Sequence, residues 1–167
     1  MDLFTAIDGR ASVRALRAAE VPEADLERIL EAGRRAPSGC NRQPIEFIVV
    51  KAPETIQALA TAQACLGDVS LVICVAAEPS KSEYWLEDVS AATTQMLLAI
   101  HALGYGSVWI EGTLLRKEQE LKPRLGLPEE MRLMVALPIG KPVNPVVPQE
   151  KRALEDMVHW ERYGQRP

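Results

Sequence analysis

Apolar and polar residues alternate along the chain with two periods, one typical of helices and one typical of strands. The clearest helical pattern covers residues 84–103, where apolar side chains recur every three or four positions. Leu98, Ala99 and Ala102 widen this apolar face beyond a single stripe. The predicted helix must therefore be covered on more than one side, either at the centre of the domain or at a subunit interface.

Shorter elements are predicted on both sides of this helix. Pro22, followed by Glu23 and Asp25, marks a helix start, and Pro37 ends that helix. The apolar run of residues 70–77 is typical of a strand buried on both faces. Further helices are predicted over 2–8, 53–64 and 117–125, and further strands over 46–51, 107–110 and 132–138. This order favours an α/β or α+β fold with a mixed β-sheet flanked by helices, in one domain spanning residues 1–167.

Composition restricts the classes of protein to which the chain can belong. Its 167 residues, 47% of them apolar, suffice for a folded domain with a sizeable core. The formal net charge of −4 disfavours binding to nucleic acid or to an anionic membrane surface. The uncharged stretch 89–110 contains several polar residues and two glycines, so we interpret it as a buried helix and not as a membrane span.

Cysteine usage and the amino terminus bear on the compartment. Three cysteines without C-x-x-C spacing favour reduced thiols over a disulfide framework or a zinc site. The first ten residues contain Asp2 and Asp8 and no long apolar run, so no export signal is predicted. We therefore expect a cytoplasmic protein.

The carboxyl-terminal segment has an unusual pattern. Pro142, Pro145 and Pro148 keep the chain extended, and apolar residues such as Met157 and Trp160 follow beyond the last predicted strand. Two interpretations remain open for residues 143–167, which we name the C-terminal arm. The arm packs on its own domain, or it extends over a second subunit.

Several kinds of catalytic motif are missing from the sequence. There is no G-x-x-x-x-G-K-[ST] phosphate loop, no G-x-G-x-x-G after a strand, no H-E-x-x-H and no G-x-S-x-G. The two histidines are His101, on the apolar helix and interpreted as structural, and His159. We therefore predict no catalytic side chain and no metal site, and expect that a cofactor carries the chemistry if the protein is an enzyme.

Two short segments concentrate positive charge in this acidic chain. Arg10, Ser12 and Arg14 alternate, so in an extended segment their side chains point the same way. Two guanidinium groups and a hydroxyl suit a phosphate, a carboxylate or the polar edge of a ring. Lys151 and Arg152, after the prolines of the arm, could reach the same anion. The alternative is that each segment is merely a solvated charged surface.

The 36–44 loop combines rigid and polar residues. Asn41 and Gln43 lie between Pro37 and Pro44, and their amides offer donors and acceptors that match the edge of a heterocycle. An ordinary turn between a helix and a strand is the alternative, but it does not explain this pair of amides.

Together these motifs resemble the nitroreductase family of FMN enzymes. The resemblance begins with Arg10-x-Ser12-x-Arg14 and the 36–44 loop and continues through Asp88 on the long helix and the 102–112 segment. It ends with the Pro-Ile-Gly of residues 138–140 and the basic pair after the prolines. It covers essentially the whole chain, and the loop motif is its most specific part.

The resemblance implies an α+β homodimer with two FMN sites at the subunit interface and arms that embrace the partner. It implies that the first basic segment holds the phosphate, ribityl chain and pyrimidine edge of FMN. The 36–44 loop would come from the other subunit, residues 111 and 112 would lie near flavin N5, and the second basic pair would complete the phosphate site. The cofactor-binding residues implied are Arg10, Ser12, Arg14, Pro37, Ser38, Asn41, Gln43, Gln63, Glu111, Gly112, Lys151 and Arg152.

The same resemblance implies an activity. NAD(P)H would pass a hydride to flavin N5, and a small oxidised acceptor such as a nitroaromatic or a quinone would then take its place. Residues 77–84 form a very short connection, which implies a reduced lid over the flavin. The alternatives are flavin cleavage or dehalogenation, both of which need a specific lid, and a flavin-binding dimer without turnover of its own.

Overall fold

The computed structural model describes residues 1–166, which form six helices and five strands. The helices are α1 (Leu3–Gly9), α2 (Glu23–Arg34), α3 (Pro53–Ala60), α4 (Trp85–Ala102), α5 (Gly112–Leu115) and α6 (Glu118–Leu121). The strands are β1 (Leu16–Arg17), β2 (Ile45–Val50), β3 (Leu71–Ala77), β4 (Arg132–Ile139) and β5 (Lys141–Pro142). Antiparallel strand pairing together with packed helices places the fold in the predicted α+β class.

The central strand of the main sheet is buried on both faces, as its apolar run predicts. The sheet order is β2-β3-β4, and all seven residues of β3 are buried. Val72 and Cys74 pack into a core that includes Ile56 and Leu59 of α3. The alternate residues of β3, such as Ile73, pack into a second core with α2 and α4. Because side chains alternate along a strand, one continuous apolar run supplies both cores.

Within the described residues every strand pairing is antiparallel. β2 pairs with β3 and β3 with β4, while β1 and β5 form a separate two-stranded ribbon. The parallel component of the expected mixed sheet is therefore not present within residues 1–166. No helix in this part of the chain has both the length and the apolarity needed to cross a membrane.

The long helix predicted over residues 84–103 is confirmed as α4. Its buried face includes Val89, Ala92, Met96 and Ile100, and it packs against α2 and the sheet. Gly33 of α2 is the point of closest approach, since a Cβ there would lie 2.8 Å from the Met96 sulfur and 2.7 Å from Phe47 Cζ. A larger residue at this position would force the Met96 and Phe47 side chains to shift.

The strand predicted over residues 107–110 is wrong, and Pro138 supplies the physical reason. Gly106 bridges to Gly140 and Ile110 bridges to Ala136 in a common antiparallel register. That register places Val108 opposite Pro138, which has no backbone N–H to donate. The ladder is therefore broken in its middle, leaving two isolated bridges.

Two predicted helices are also shorter than expected. The 117–125 helix is divided into α6 and a 3₁₀ turn at Pro123–Leu125, because a proline cannot donate within a continuous helix. Gly126 then ends the turn with a left-handed φ of 65°. The 53–64 helix ends at Ala60, and a separate 3₁₀ turn follows at Ala64–Leu66.

The described part of the C-terminal arm does not bury its apolar side chains on its own domain. Trp160 is 57% exposed and Tyr163 is 93% exposed, and Leu154 and Met157 are exposed as well. Pro167, the last residue of the predicted arm, lies outside the described residues. The interpretation in which the arm packs on its own domain is therefore not supported within this chain.

A buried carboxylate fixes α6 to the start of β4. Glu118 is 5% exposed and accepts hydrogen bonds from Arg132 Nε at 2.8 Å and from the Leu133 N–H at 2.9 Å. Burial raises the pKa of Glu118, but the hydrogen bonds from Arg132 and Leu133 and the charges of Arg132 and Lys122 outweigh it. The net result is a pKa below the ordinary value of 4.5.

We expect Glu118→Gln to lower the free energy of unfolding at neutral pH by about 1.5–3 kcal/mol, the usual range for hydrogen bonds to a charged group. Because the folded-state pKa is depressed, this contribution is complete above about pH 4.5 and is lost as pH falls through the folded-state pKa. Denaturant unfolding of both proteins from pH 7 to pH 3 measures it. A gap between the two proteins that stays constant down to pH 3 would contradict this account.

Candidate functional site

The first basic segment lines a cavity of about 450 Å³ at the surface of the domain. Arg10, Ser12 and Arg14 contribute from one side, and Lys151 of the arm contributes from the other. Asp8 is the one acidic residue in the lining. The structure therefore brings Lys151, which is distant in sequence, to the two arginines and the hydroxyl of the basic segment, as an anion-binding site requires.

Backbone hydrogen bonds hold this segment extended. Arg10 leaves α1 with φ −68° and ψ 130°, and the Val13 N–H donates to the Ser107 carbonyl at 2.8 Å. Beyond it, the Val143 N–H donates to the Ala15 carbonyl at 2.9 Å, next to the β1–β5 ribbon. The start of the arm and the basic segment are thus fixed side by side, which explains how Lys151 reaches the cavity.

His101 lies behind Arg10, in agreement with its interpretation as a structural residue. A Cβ on Gly9 would lie only 2.8 Å from His101 Nε2, so α1 and α4 approach each other at this glycine. Burial and the nearby Arg10 charge both lower the pKa of His101 below 6.5. His101 is therefore a neutral group at neutral pH.

A second group of predicted site residues adjoins the start of α5. Thr113 Oγ1 donates to Gln63 Oε1 at 3.3 Å, which places Gln63 next to Gly112. The space that a Gly112 side chain would fill is open, so the backbone there is accessible to a flat ligand. The Glu111 carboxylate is engaged within its own segment, because it accepts a hydrogen bond from Trp109 Nε1 at 2.9 Å.

The charge of Arg14, which lines the cavity, acts on Cys65. Burial raises the pKa of Cys65, which lies two residues after Gln63, and the charge of Arg14 partly opposes that effect. Arg14 is therefore close enough to Cys65 for its charge to act on the thiol.

The 36–44 loop has a strained backbone held by internal hydrogen bonds. Cys40, Asn41 and Gln43 have φ values of 49°, 57° and 49°, a left-handed region that non-glycine residues seldom occupy. Ser38 Oγ accepts from the Gln43 N–H at 3.2 Å, and the Ser38 carbonyl accepts from the Asn41 N–H at 2.9 Å. Such strain persists only where the surroundings determine the conformation, and it is common at ligand sites.

A buried carboxylate outside the loop helps to fix the loop conformation. Asp88, in the first turn of α4, is 3% exposed and accepts from the Gly39 N–H at 2.8 Å. Its second oxygen accepts from Ser82 Oγ at 2.9 Å. Sequence reasoning gave Asp88 no role in the site. Its position on the stripe shared with Ala92, Met96 and Ile100 was the available signal, because an acid on an apolar stripe needs buried partners.

The structure does not bring all the predicted site residues together. Arg152 is absent from the cavity lining and donates to the Asp156 carbonyl at 3.0 Å, whereas its neighbour Lys151 does line the cavity. Ser38 and Gln43 line a separate cavity of about 80 Å³ beside Phe47. Within one chain, therefore, the loop and the basic segment belong to different surfaces.

Comparison with known proteins gives one consistent result. The model of the nitroreductase family matches residues 7–75 and 62–141. A provisionally named NADH dehydrogenase/NAD(P)H nitroreductase of Archaeoglobus fulgidus is 34% identical over 92% of this chain and 94% of its own length. A similarly named protein of Methanothermobacter thermautotrophicus is 33% identical, over 86% of this chain and 79% of its own length.

A solved structure agrees with these sequence relatives. The crystal structure of a protein from Bacteroides thetaiotaomicron, again provisionally named an NADH dehydrogenase/NAD(P)H nitroreductase, superposes with a TM-score of 0.89 at 29% identity. The match covers 96% of this chain and 97% of the other. The chain belongs to the nitroreductase family.

Proposed function

We propose that this protein is an FMN-dependent oxidoreductase that transfers a hydride from NAD(P)H to a small oxidised acceptor. Membership of the nitroreductase family supports the enzyme class and the cofactor. The observation that carries the proposal is the cavity in which Arg10, Ser12, Arg14 and Lys151 converge in a chain of net charge −4.

The residues present fit FMN. A phosphate monoester carries close to two negative charges near neutral pH, and the cavity offers three cations and a hydroxyl to match them. No glycine-rich loop is present in the sequence to cradle the second phosphate that FAD would bring. We therefore assign the phosphate to Arg10, Ser12 and Lys151.

FMN bound here would supply hydride transfer at its N5, and the residues of this chain would bind and orient it. Arg14 lines the cavity, and its positive charge would stabilise negative charge at the pyrimidine edge of the ring. The open backbone at Gly112 would lie along the ring and leave its face accessible. The chain thus binds, orients and stabilises the cofactor.

We further propose a homodimer in which the 36–44 loop of each subunit completes the site of its partner. The loop is polar, and its residues line a different cavity from the basic one of the same chain. The exposed apolar side chains of the arm, Trp160 and Tyr163 among them, need a surface to cover them.

The three unpaired cysteines support a reducing, cytoplasmic location.

The acceptor side of the site is open in this chain. Between β3 and α4 lie only residues 78–84, with a single 3₁₀ turn at Pro79–Lys81 and a buried Ser82. A small planar acceptor such as a quinone or nitroaromatic needs no larger lid. Flavin cleavage, dehalogenation and flavin binding without turnover are the competing outcomes of the tests below.

We expect purified protein to be yellow and to release FMN on heating, because its phosphate site serves one phosphate. Arg10→Ala should weaken FMN binding about 10-fold to 100-fold, the equivalent of one charged hydrogen bond. Arg124→Ala, which removes the same charge from an exposed turn, is the matched control and should keep the flavin. Fluorescence titration with FMN measures both, and FAD as the released cofactor would refute the proposed phosphate site.

Lys151→Ala and Arg152→Ala separate the two basic residues of the arm. Because Lys151 lines the cavity and Arg152 does not, we expect only Lys151→Ala to reduce FMN affinity at low ionic strength. The opposite order would restore the sequence-based assignment to Arg152.

Steady-state oxidation of NADH and NADPH with quinone and nitroaromatic acceptors tests the proposed reaction. Flavin-loaded protein that is inactive with every acceptor would refute it.

Truncation after Pro142 should reduce dimerisation and FMN binding together. It removes Lys151 from the cavity and the apolar side chains proposed to cover the partner, so each loss weakens the other. A shorter truncation after Tyr163 keeps Lys151, the prolines and the apolar side chains of the arm, and serves as the control. Analytical ultracentrifugation with flavin absorbance measures both quantities. A truncated protein that stays dimeric and yellow would remove the arm from the interface.

A further inference from the structure

We propose that Asp88 is a positioning residue that holds the 36–44 loop in the conformation required for flavin binding. The inference rests on the proposed function for the use of the loop, but its structural basis lies in one buried hydrogen-bond network. That network joins three separate parts of the chain, namely the loop, the 78–84 connection and the first turn of α4.

The network leaves the carboxylate of Asp88 fully engaged. Its Oδ1 accepts from the Gly39 N–H at 2.8 Å and its Oδ2 accepts from Ser82 Oγ at 2.9 Å. Ser82 is 1% exposed, and its hydroxyl oxygen accepts in turn from the Tyr84 N–H at 3.2 Å. A carboxylate in the first turn of a helix is also stabilised by the helix dipole. Asp88 thus has a fixed position from which to hold Gly39.

Gly39 is held from its other side by Tyr84. A Cβ on Gly39 would lie 2.9 Å from both Cβ and Cγ of Tyr84, so the loop backbone packs directly on that side chain. The strained residues follow at once, with left-handed φ values at Cys40, Asn41 and Gln43. The hydrogen bonds within the loop remain when Asp88 is removed, but the anchor that ties Gly39 to α4 is lost, so we expect the strained backbone to relax.

Holding the loop in one conformation lowers the entropic cost of binding. A loop already fixed in its binding conformation loses little conformational entropy when a ligand docks, whereas a relaxed loop must be ordered first. Removing the Asp88 carboxylate leaves the half-buried Gly39 N–H without its acceptor and loosens the loop. Asp88 would therefore raise flavin affinity without touching the flavin.

The test compares Asp88→Ala and Asp88→Asn with Glu118→Gln. Glu118 is the matched control because it too is a buried carboxylate that accepts from one backbone N–H and one side chain, but it holds β4 and not the loop. We expect Asp88→Ala to raise the Kd for FMN at least tenfold and Asp88→Asn, which keeps one acceptor, to raise it less. Glu118→Gln should lower stability but change the Kd less than twofold.

Hydrogen exchange in flavin-free protein provides a readout independent of the cofactor. We expect Asp88→Ala to speed exchange of the 39–43 amides at least tenfold while the amides of β3 keep their protection. If Asp88→Ala fails to fold, Gly39→Ala tests the same anchor by forcing the loop away from Tyr84. The visible circular dichroism of bound FMN should change in either variant.

The outcomes separate the two proposals. Wild-type protein that binds no FMN would refute the proposed function, and the exchange rates would still decide whether Asp88 fixes the loop. Unchanged exchange of the 39–43 amides in Asp88→Ala would overturn the positioning role. Faster exchange with an unchanged Kd for FMN would also overturn it, because the loop conformation would then not matter to binding.

Discussion

The complete burial of β3 is the constraint on which the rest of the structure depends. A strand whose seven residues are all removed from water must have helices on both faces and strands on both edges. α2 and α4 cover one face and α3 covers the other, while β2 and β4 occupy the edges. Because β3 continues into the short 78–84 connection, the start of α4 is fixed relative to the sheet. The position of Asp88, and with it that of the 36–44 loop, follows from this arrangement.

The 106–110 segment, at the far edge of the sheet, holds the basic segment in place. Pro138 prevents a continuous ladder between β4 and residues 106–110, but the bridges at Gly106 and Ile110 keep that segment extended beside β4. Its outer edge is then free to pair, and the Ser107 carbonyl accepts from Val13. The basic segment is thereby attached to the edge of the sheet while its side chains remain exposed. A regular strand at 106–110 is not needed for this role, since one hydrogen bond at Ser107 fixes the register.

The elements that the sequence predicts well are those that depend on local pattern alone. The period of 3.6 defines α4, and the uninterrupted apolar run defines β3, because burial dictates both patterns directly. The failures occur where one residue's effect depends on its distant partner. Pro138 looks harmless within its own strand, and only the register with Val108 shows that it breaks a ladder. Pro123 is different, since its effect on the 117–125 helix is local and could have been anticipated.

The site residues, too, are predicted well where the pattern is local and poorly where their role depends on distant contacts. The alternation of Arg10, Ser12 and Arg14 indicates a shared direction, and the structure does place these residues together in one cavity. The choice between Lys151 and Arg152 could not be made from sequence, because it depends on the path of an arm that has no periodic pattern. Asp88 was overlooked because an acid at a helix start has an ordinary local explanation in the helix dipole. Its buried partners, Gly39 and Ser82, are distant in sequence or outside the helix. The assignment of these residues to flavin binding remains a prediction.

The charge of the basic cavity links the proposed cofactor to the proposed dimer. Arg10, Arg14 and Lys151 face one cavity with Asp8 as the one acid in its lining, so their mutual repulsion opposes the approach of the arm to the basic segment. A phosphate in that cavity replaces repulsion by attraction and draws the arm, through Lys151, against the body of its own subunit. In the proposed dimer the same arm would carry the exposed Trp160 and Tyr163 to the partner. Cofactor binding therefore reduces the number of conformations available to the arm before it docks, which lowers the entropic cost of dimerisation. By reciprocity, a docked arm presents Lys151 already in place, so the dimer binds the phosphate more tightly than the monomer does.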